Sequence, residues 1–470
     1  MGRLFRVGRV TVGGERWKRA VALFLGGQAV SLFGSALVQY AVIWWVALDS
    51  GSGWTYTLAV LAAMLPTGVF SIFGGVWADR HSRKALVIGA DAGIALVTGA
   101  LAVAVLVGEP NLGVILVALG LRGVGGGIQM PAVTAMIPQI VPEQHLMRVN
   151  ALAGTIQSGV FIVSPAAAAG LLASVDLGWI FLIDVGTAAL AIAALSLLAV
   201  PRIGRAGETG SAAAGPAQEQ DRAQERARAR ARAAGEHGRA RAHVGREMRV
   251  AVRYAWADRA VRRVLVGYTV MFLLVVPPAN LAPIVVVRLF NSSLVELSSL
   301  EIVWSLGAVI GGAILAAWGG LRNRMTMILI VAALWGLFTV VLGLAPNFWV
   351  FVVIMAVFGI TMPGLATPAT TALQERVAPD FQGRVFGLLN IVMMMSAPVG
   401  MAVVGPLADV VSVRTIYVVT GIVTIVAAGL LSIRAPRLDA PAAAPATGGE
   451  RTSAEIGPDG GVRRDEDGGI

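Results

Sequence analysis

The sequence predicts an all-α integral membrane protein with about twelve transmembrane helices. Hydrophobic residues make up 56% of the 470 residues and charged residues only 14%. A soluble domain would carry about 25% charged residues, whereas helices surrounded by lipid carry few. The apolar residues also fall into runs of roughly 20 residues, the length that crosses a bilayer as a helix.

Six apolar runs precede a long polar segment and six follow it. The first six predicted spans cover residues 20–48, 56–78, 85–107, 112–139, 149–173 and 178–200, and the last six cover 264–287, 298–318, 325–345, 347–373, 385–408 and 413–433. The first run is too long for a secretory signal, so we interpret it as a retained helix. The predicted domains are a basic N-terminus (1–19), a first six-helix bundle (20–200), a linker (201–262), a second six-helix bundle (263–434) and a tail (435–470).

The linker is rich in alanine and arginine and has few large apolar residues. Such a composition cannot bury a core, so we predict a disordered or loosely helical segment, and we expect the tail to be disordered as well. Near the end of the linker, Met248, Val252 and Trp256 recur at helical spacing beside several arginines. This pattern fits either an amphipathic helix on anionic headgroups or an ordinary lead-in to the seventh span.

Arginine and lysine occur mainly in alternate connections, which predicts the topology. The connections rich in these residues, both termini and the linker should be cytoplasmic. The opposite connections, near Ser50, Pro110, Asp176 and Pro346, carry no basic residue, and only Arg288 and Arg414 are assigned outside. The chain is predicted to be a multi-pass protein of the cell membrane.

Several function classes are excluded by composition. The chain has no cysteine, which removes disulfides and cysteine-bound metals. Its two lysines, Lys18 and Lys84, stand in no Gly-Lys-Ser/Thr phosphate loop, so an ATP motor of that type is absent. The net charge of +10 follows from the topology arginines, not from nucleic-acid binding. We expect no enzymatic activity, no cofactor or metal, and no obligate protein partner.

An internal repeat relates the two bundles. PAVTAM from Pro131 is echoed by PATTAL from Pro368, 237 residues later, and Pro142 is echoed by Pro379 at the same offset. These matches lie in or just after the fourth span of each half. Two parallel six-helix repeats around a central substrate path are therefore predicted.

The connection between the second and third spans carries a charged motif, GGVWADRHSRK from Gly74. It resembles the signature of the major facilitator superfamily at Gly75, Asp79, Arg80, Arg83 and Lys84, with Ser82 where the family has glycine. Other stretches resemble the macrolide-efflux (Mef-type) exporters of that superfamily over both membrane halves: GQAVSL from Gly27, GADAG around Asp91, VSPA from Val163, LIDV around Asp184 and GRVFGL from Gly383. The linker and tail depart from the family, and its fifth-helix antiporter motif is reduced here to Ser164-Pro165.

This resemblance implies a major facilitator fold and proton-coupled efflux of amphiphilic small molecules by alternating access, with the proton gradient as the energy source. The expected partners are the small-molecule cargo, protons and the lipid bilayer. Alternatives are a siderophore, lipid or metabolite transporter of the same fold, uptake instead of export, or a non-transporting membrane sensor or scaffold that works through the arginine-rich linker.

The residues of the charged motif are candidates for a conformational latch. A carboxylate at the end of the second helix can accept hydrogen bonds from the N-terminus of a helix in the other half, and the basic residues can pair across the crevice. In the family, such contacts hold the outward-facing state. Topology alone would explain Arg80, Arg83 and Lys84, but it would not explain Asp79.

Four charged residues lie within predicted spans. A charge at the centre of a membrane helix costs ~2.5–3.5 kcal/mol, so these residues should face a cavity or one another. Asp91 and Arg122 are candidates for a proton site and its charge partner. Asp184 and Glu301 are weaker candidates, because Asp184 can pair structurally and Glu301 lies near the membrane interface. The proton carrier is predicted to be Asp91 or Asp184.

A polar stripe on the first helix predicts a path through the bundle. Gln28, Ser31, Ser35 and Gln39 share one face, and Gln157 lies on a similar stripe of the fifth span. Polar stripes in membrane helices face protein or water. In the second half, Asn280, Asn390 and Met394 are the candidate path residues, because methionine adapts to varied apolar ligands. Ordinary helix packing would explain the same residues.

Overall fold

The computed structural model describes residues 16–108, 111–198, 252–290 and 294–433, and within them it is helical throughout the predicted spans. The first half contains six long helices: α1 (Arg16–Ser50), α2 (Gly53–Arg80), α3 (Arg83–Val107), α4 (Leu112–Ile140), α5 (Leu146–Ser174) and α6 (Leu177–Ser196). A short 3-10 helix, Glu143–His145, precedes α5. The polar connections supply the caps, since the side chains of Ser52, Ser82 and Asn111 accept from backbone N–H groups of the helices that follow them.

The second half contains eight helices that form six spans. They are α7 (Arg259–Asn280), α8 (Ala282–Phe290), α9 (Leu294–Trp318), α10 (Arg324–Gly343), α11 (Phe348–Thr361), α12 (Pro363–Arg376), α13 (Pro379–Val410) and α14 (Val413–Ile433). In the described ranges, twelve helical segments are long and apolar enough to cross a membrane, which confirms the predicted number of spans.

Two of these spans are divided, which the apolar pattern alone did not predict. The tenth span breaks between α11 and α12, because Pro363 has no N–H to continue the hydrogen bonding of the first helix. The seventh span breaks between α7 and α8 at Leu281, shortly after Pro277 and Pro278. Breaks of this kind are tolerated where the freed backbone groups lie inside the protein.

The two halves repeat one packing arrangement. In the first half α2 packs on α4, α3 on α6 and α1 on α5, and the corresponding pairs in the second half are α9 with α11, α10 with α14 and α7 with α13. The halves meet through two equivalent pairs, α2 with α13 and α5 with α9. This pairing is the arrangement expected of two parallel repeats.

Glycines allow the paired helices to approach closely. A Cβ on Gly123 would lie 2.6 Å from the carbonyl oxygen of Ala63, and one on Gly127 would lie 2.6 Å from that of Thr67. Gly123 and Gly127 of α4 therefore allow close packing against α2. In the second half Gly307 and Gly311 bring α9 equally close to α11.

The ends of the bundle differ in charge. We call the end that carries Arg83, Lys84, Arg148, Arg324 and Arg376 the basic end, and the opposite end the low-charge end. A buried apolar cluster drawn only from the first half, including Phe24, Val87 and Met136, lies at the basic end. The larger buried cluster contains residues of both halves, so the hydrophobic contact between the halves lies outside the basic-end cluster.

Some predicted segments lie outside the described residues. These are residues 1–15, most of the linker (199–251) and the tail (434–470). Residues 252–257 are helical, and the ring of Tyr254 stacks on that of Phe381, with centroids 4.4 Å apart. The end of the linker thus packs against α13, and Trp256 is 54% exposed beside it.

Candidate functional site

A polar cavity of about 580 Å³ opens inside the first half. Three residues of the α1 stripe line it, Gln28, Ser35 and Gln39, and Gln157 of α5 faces them. Arg122 and Gln129 of α4 complete the polar wall, while Leu32, Ile94, Met130 and Phe161 are among its apolar members. The structure therefore places most of the predicted first-half path residues around one cavity. Their role in binding cargo stays a prediction.

The remaining stripe residue, Ser31, contacts the carboxyl group of Asp91 and does not line the cavity. Ser31 Oγ donates to Asp91 Oδ1 over 3.0 Å, and Gln129 Nε2 donates to the same oxygen. Asp91 keeps only 2% of its surface exposed, and its second oxygen, Oδ2, is buried without a hydrogen-bond partner among the described residues. One oxygen of this carboxyl group is therefore held in place, and the other is available for a proton.

Arg122 pairs with Asp184, whereas the sequence suggested Asp91 as its companion. Arg122 Nη1 lies 2.5 Å from Asp184 Oδ2, and Asp184 is 1% exposed. Ser35 Oγ donates to Asp184 Oδ1 over 3.3 Å, and Thr98 Oγ1 lies 3.2 Å from Oδ2. Two buried charges thus neutralise each other across α4 and α6, beside the wall of the cavity.

The second-half candidates do not meet in one place. Glu301 and Asn280 line a separate cavity of about 300 Å³ near the low-charge end. Met394 of α13 touches α2, with Ser71 Oγ 3.9 Å from its sulfur atom. Asn390 is exposed on α13 and lines neither cavity.

At the basic end, the side chains of Asp79 and Arg80 lie outside what the structure describes. Arg83 donates to the carbonyl oxygens of Ala78 (3.0 Å) and Ala135 (2.6 Å). Lys84 donates to those of Ser196 (2.9 Å) and Leu198 (2.7 Å), so it bonds within its own half and not across the crevice. A Cβ on Gly75 would meet no atom within 4 Å. The latch itself stays a prediction.

The low-charge end holds a polar contact between the halves that sequence reasoning missed. Asp409, near the end of α13, accepts from the N–H groups of Gly53 (2.8 Å) and Trp54 (2.9 Å) and from Ser52 Oγ (2.9 Å). Arg288 pairs with the same carboxylate and donates to the carbonyl oxygen of Gly51 over 2.7 Å. We call Asp409, Arg288 and the start of α2 the low-charge lock.

Close packing beside the lock also joins the halves. A Cβ on Gly53 would lie 2.7 Å from the carbonyl oxygen of Gly405, and one on Gly405 would clash with Thr57. The Tyr56 hydroxyl donates to the carbonyl oxygen of Asn280 over 2.9 Å. These contacts hold the halves together at the low-charge end.

Two of the three missed residues could have been found from the sequence. Arg288 was one of only two basic residues assigned to the low-charge end, so a nearby acid was to be expected. Asp409 stands at the end of a span, where an acid resembles an ordinary loop residue. Gln129, which binds Asp91, lies seven residues after Arg122 and therefore on the same helix face.

Two equivalent six-helix halves, with a cavity inside the first half and a lock between the halves at one end, are the architecture of a secondary membrane transporter. The chain belongs to the Major Facilitator Superfamily, whose sequence profile matches residues 24–288 and 264–464. It is a multi-pass membrane protein and a transporter of that superfamily, not an enzyme.

Relatives with assigned names are efflux proteins. Macrolide efflux protein A of Streptococcus pyogenes is 29% identical over 409 residues, covering 87% of this chain and 94% of the relative. Multidrug efflux pump Tap of Mycobacterium tuberculosis (strain ATCC 25618 / H37Rv) is 26% identical over 431 residues, covering 88% of this chain and 93% of the relative.

Solved structures with the same fold include a POT family transporter in complex with a thioalcohol-conjugated peptide. Its TM-score is 0.66 at 12% identity, covering 90% of this chain and 97% of that one. A D-xylose-proton symporter matches with a TM-score of 0.59 at 12% identity, covering 88% of this chain and 98% of that one. At these identities the likeness shows the fold alone.

Proposed function

We propose that this protein exports amphiphilic small molecules, macrolides among them, in exchange for protons. The observation that carries the proposal is the polar cavity of the first half, with the buried carboxyl group of Asp91 behind its wall. The relatives named for macrolide and multidrug efflux support export as the direction and amphiphiles as the cargo.

In this proposal Asp91 carries the proton. An ionised carboxylate buried without partners is costly, and Asp91 has one oxygen that no donor satisfies. Asp184 is already neutralised by Arg122, which leaves it less suited to gain and lose a proton. The hydrogen bonds of Asp91 to Ser31 on α1 and Gln129 on α4 link it to two helices of the cavity wall.

One proton is energetically sufficient. A charge that moves through 100 mV releases ~2.3 kcal/mol, and a tenfold concentration ratio costs ~1.4 kcal/mol. One proton exchanged for one neutral cargo molecule therefore supports a gradient of roughly forty-fold, whereas exchange for a cationic cargo molecule moves no net charge and draws on the pH difference alone.

The proposal also includes an orientation. The basic end faces the cytoplasm, as the positive-inside rule predicts, and both termini lie on that side. The halves are joined by the low-charge lock at the opposite end, so the structure corresponds to an inward-facing form in which the cavity receives cargo from the cytoplasm.

The test uses full-length protein in proteoliposomes with an acidic lumen. Radiolabelled erythromycin should accumulate in wild-type vesicles, and a protonophore should abolish the accumulation. Erythromycin is a weak base that collects in acidic vesicles unaided, so protein-free vesicles serve as the blank, and Asp91→Asn vesicles should accumulate no more than this blank. Asp176→Asn, which removes an exposed carboxylate that makes no side-chain cap bond, should behave as wild type.

Two results would contradict the proposal. Wild-type vesicles that accumulate no more erythromycin than protein-free vesicles would rule out macrolide transport. Equal proton-driven accumulation in wild-type and Asp91→Asn vesicles would remove Asp91 from the coupling role.

A further inference from the structure

A second cavity, of about 300 Å³, lies directly behind the low-charge lock. Most residues in its wall are apolar or aromatic, and the larger ones are Tyr56, Phe272, Trp304, Trp335, Met355 and Phe358. Among them stands one acid, Glu301 of α9. All of these residues except Tyr56 belong to the second half.

Close helix packing builds this cavity. A Cβ on Gly359 would lie 2.3 Å from the carbonyl oxygen of Trp304, and one on Gly307 would lie 2.5 Å from that of Ala356. The backbones of α9 and α11 therefore touch just beyond the cavity. Glu301 and Trp304, three residues apart on α9, consequently share the face that looks toward Met355 and Phe358 of α11.

The aromatic wall is held in a fixed shape. Trp335 stacks on Phe358 with ring centroids 4.8 Å apart, and its indole Nε1 donates to Thr361 Oγ1 over 2.9 Å. Phe272 packs against the same indole at 6.5 Å. A preformed aromatic surface of this kind suits the recognition of organic cations.

Within the described part of the chain, Glu301 has neither a hydrogen bond nor an ion pair. Two donors that share its cavity bind elsewhere, since Tyr56 donates to the carbonyl oxygen of Asn280 and Asn280 Nδ2 donates to that of Val276 over 2.8 Å. A carboxylate in an apolar cavity needs a proton or a cation to neutralise its charge. The described residues place no such cation beside Glu301.

We propose that this cavity is a second ligand site, which takes the ammonium head of an amphiphilic cation with Glu301 as its counter-ion. Trp304, Trp335 and Phe358 enclose the alkyl groups on nitrogen, and the cation lies against their π faces. The inference rests on the proposed function, because it takes the ligand to be the exported cargo. In this inference Glu301 neutralises the positive charge of the cargo, and Asp91 remains the residue that binds the coupled proton.

The position of the site also provides a release route. The hydrogen bond from Tyr56 to Asn280 joins the halves and closes one wall of the cavity. When the halves separate at the low-charge end, Tyr56 moves away with α2 and the site opens to that side. The site at Glu301 is therefore the last position that the ligand occupies before it is released.

The experiment compares two ligands of equal shape and different charge on full-length protein in nanodiscs. Benzyltrimethylammonium is the cation, neopentylbenzene is its neutral isostere, and ligand-observed NMR gives both dissociation constants after subtraction of empty nanodiscs. Glu301→Gln should weaken binding of the cation roughly ten- to hundredfold and change that of the isostere less than about twofold. Trp304→Leu should weaken cation binding roughly two- to thirtyfold, and Asp49→Asn, which removes an exposed acid at the same end, should have no effect.

The proposal would be overturned if Glu301→Gln bound the cation within about twofold of the wild-type affinity. Equal affinity of the wild type for both ligands would overturn it as well. Should Glu301→Gln fail to fold, unchanged cation binding in Trp304→Leu would overturn it equally. Glu301-dependent cation binding in a protein that accumulates no erythromycin would support this site and contradict only the proposed efflux of macrolides.

Discussion

Three acids within the membrane-spanning helices have different partners, and the partners separate their roles. Asp184 is neutralised by Arg122, Asp91 is bound only by an amide and a hydroxyl, and Glu301 has no partner among the described residues. The sequence shows that all three acids lie within apolar runs. It does not show which acid contacts Arg122, because that contact depends on how α3, α4 and α6 pack together.

The Asp184–Arg122 pair should be required for stability. Asp184→Asn leaves Arg122 as a buried charge with 9% of its side chain exposed, and the loss of one member of such a pair costs about 3–5 kcal/mol. We expect a clearly lower midpoint in thermal unfolding of the detergent-solubilised protein. The double variant Asp184→Asn/Arg122→Gln, which removes both charges, should recover most of the loss. A midpoint that Asp184→Asn leaves unchanged would contradict a structural role for the pair.

At the scale of helices, the low-charge lock joins a carboxylate of one half to a helix N-terminus of the other. The first N–H groups of a helix have no partners within it and carry a partial positive charge. Asp409 binds two of them on α2, and Arg288 balances its charge. The bonds are made between the halves, so they must break whenever the low-charge end opens.

Asp409→Asn should therefore favour the form that is open at the low-charge end. Loss of hydrogen bonds to a charged acceptor costs ~1.5–3 kcal/mol, which shifts the ratio of closed to open forms roughly tenfold or more. The chain has no cysteine, so nitroxide labels on Ser50→Cys and Ser412→Cys report the distance across this end by electron-electron resonance. Asp176→Asn provides the matched control. An identical distance distribution in Asp409→Asn and the control would show that the lock does not hold the halves together.

The helices were predictable to a greater degree than the contacts between them. Each span is an apolar run of membrane length, and the α1 stripe had to face a polar interior, so both follow from sequence alone. The cap that Asp409 forms on α2 depends on neighbours far away in the chain. Hydropathy carries no information about such neighbours.

At the scale of the whole molecule, α2 and α13 are in a position to hold the halves together at either end. At the low-charge end, the C-terminal acid of α13 caps the N-terminus of α2. At the basic end, α2 ends beside Asp79 and α13 begins at Pro379, so the same two helices can form the reverse contact. A Cβ on Gly75 would meet open space, which leaves room for the second half to approach. During alternating access, the contact at the low-charge end would break and the contact at the basic end would form.

This relation predicts that Asp79→Asn and Lys84→Gln differ in effect. Loss of the Asp79 charge weakens the contact at the basic end, so the population should shift toward the form closed at the low-charge end, and transport should slow. Labels on His81→Cys and Gln374→Cys should then report longer distances across the basic end. Lys84 binds the carbonyl oxygens of Ser196 and Leu198 within the first half, so Lys84→Gln should leave these distances unchanged. Equal transport and equal distances in the two variants, at equal expression, would reduce the charged motif to a signal for topology.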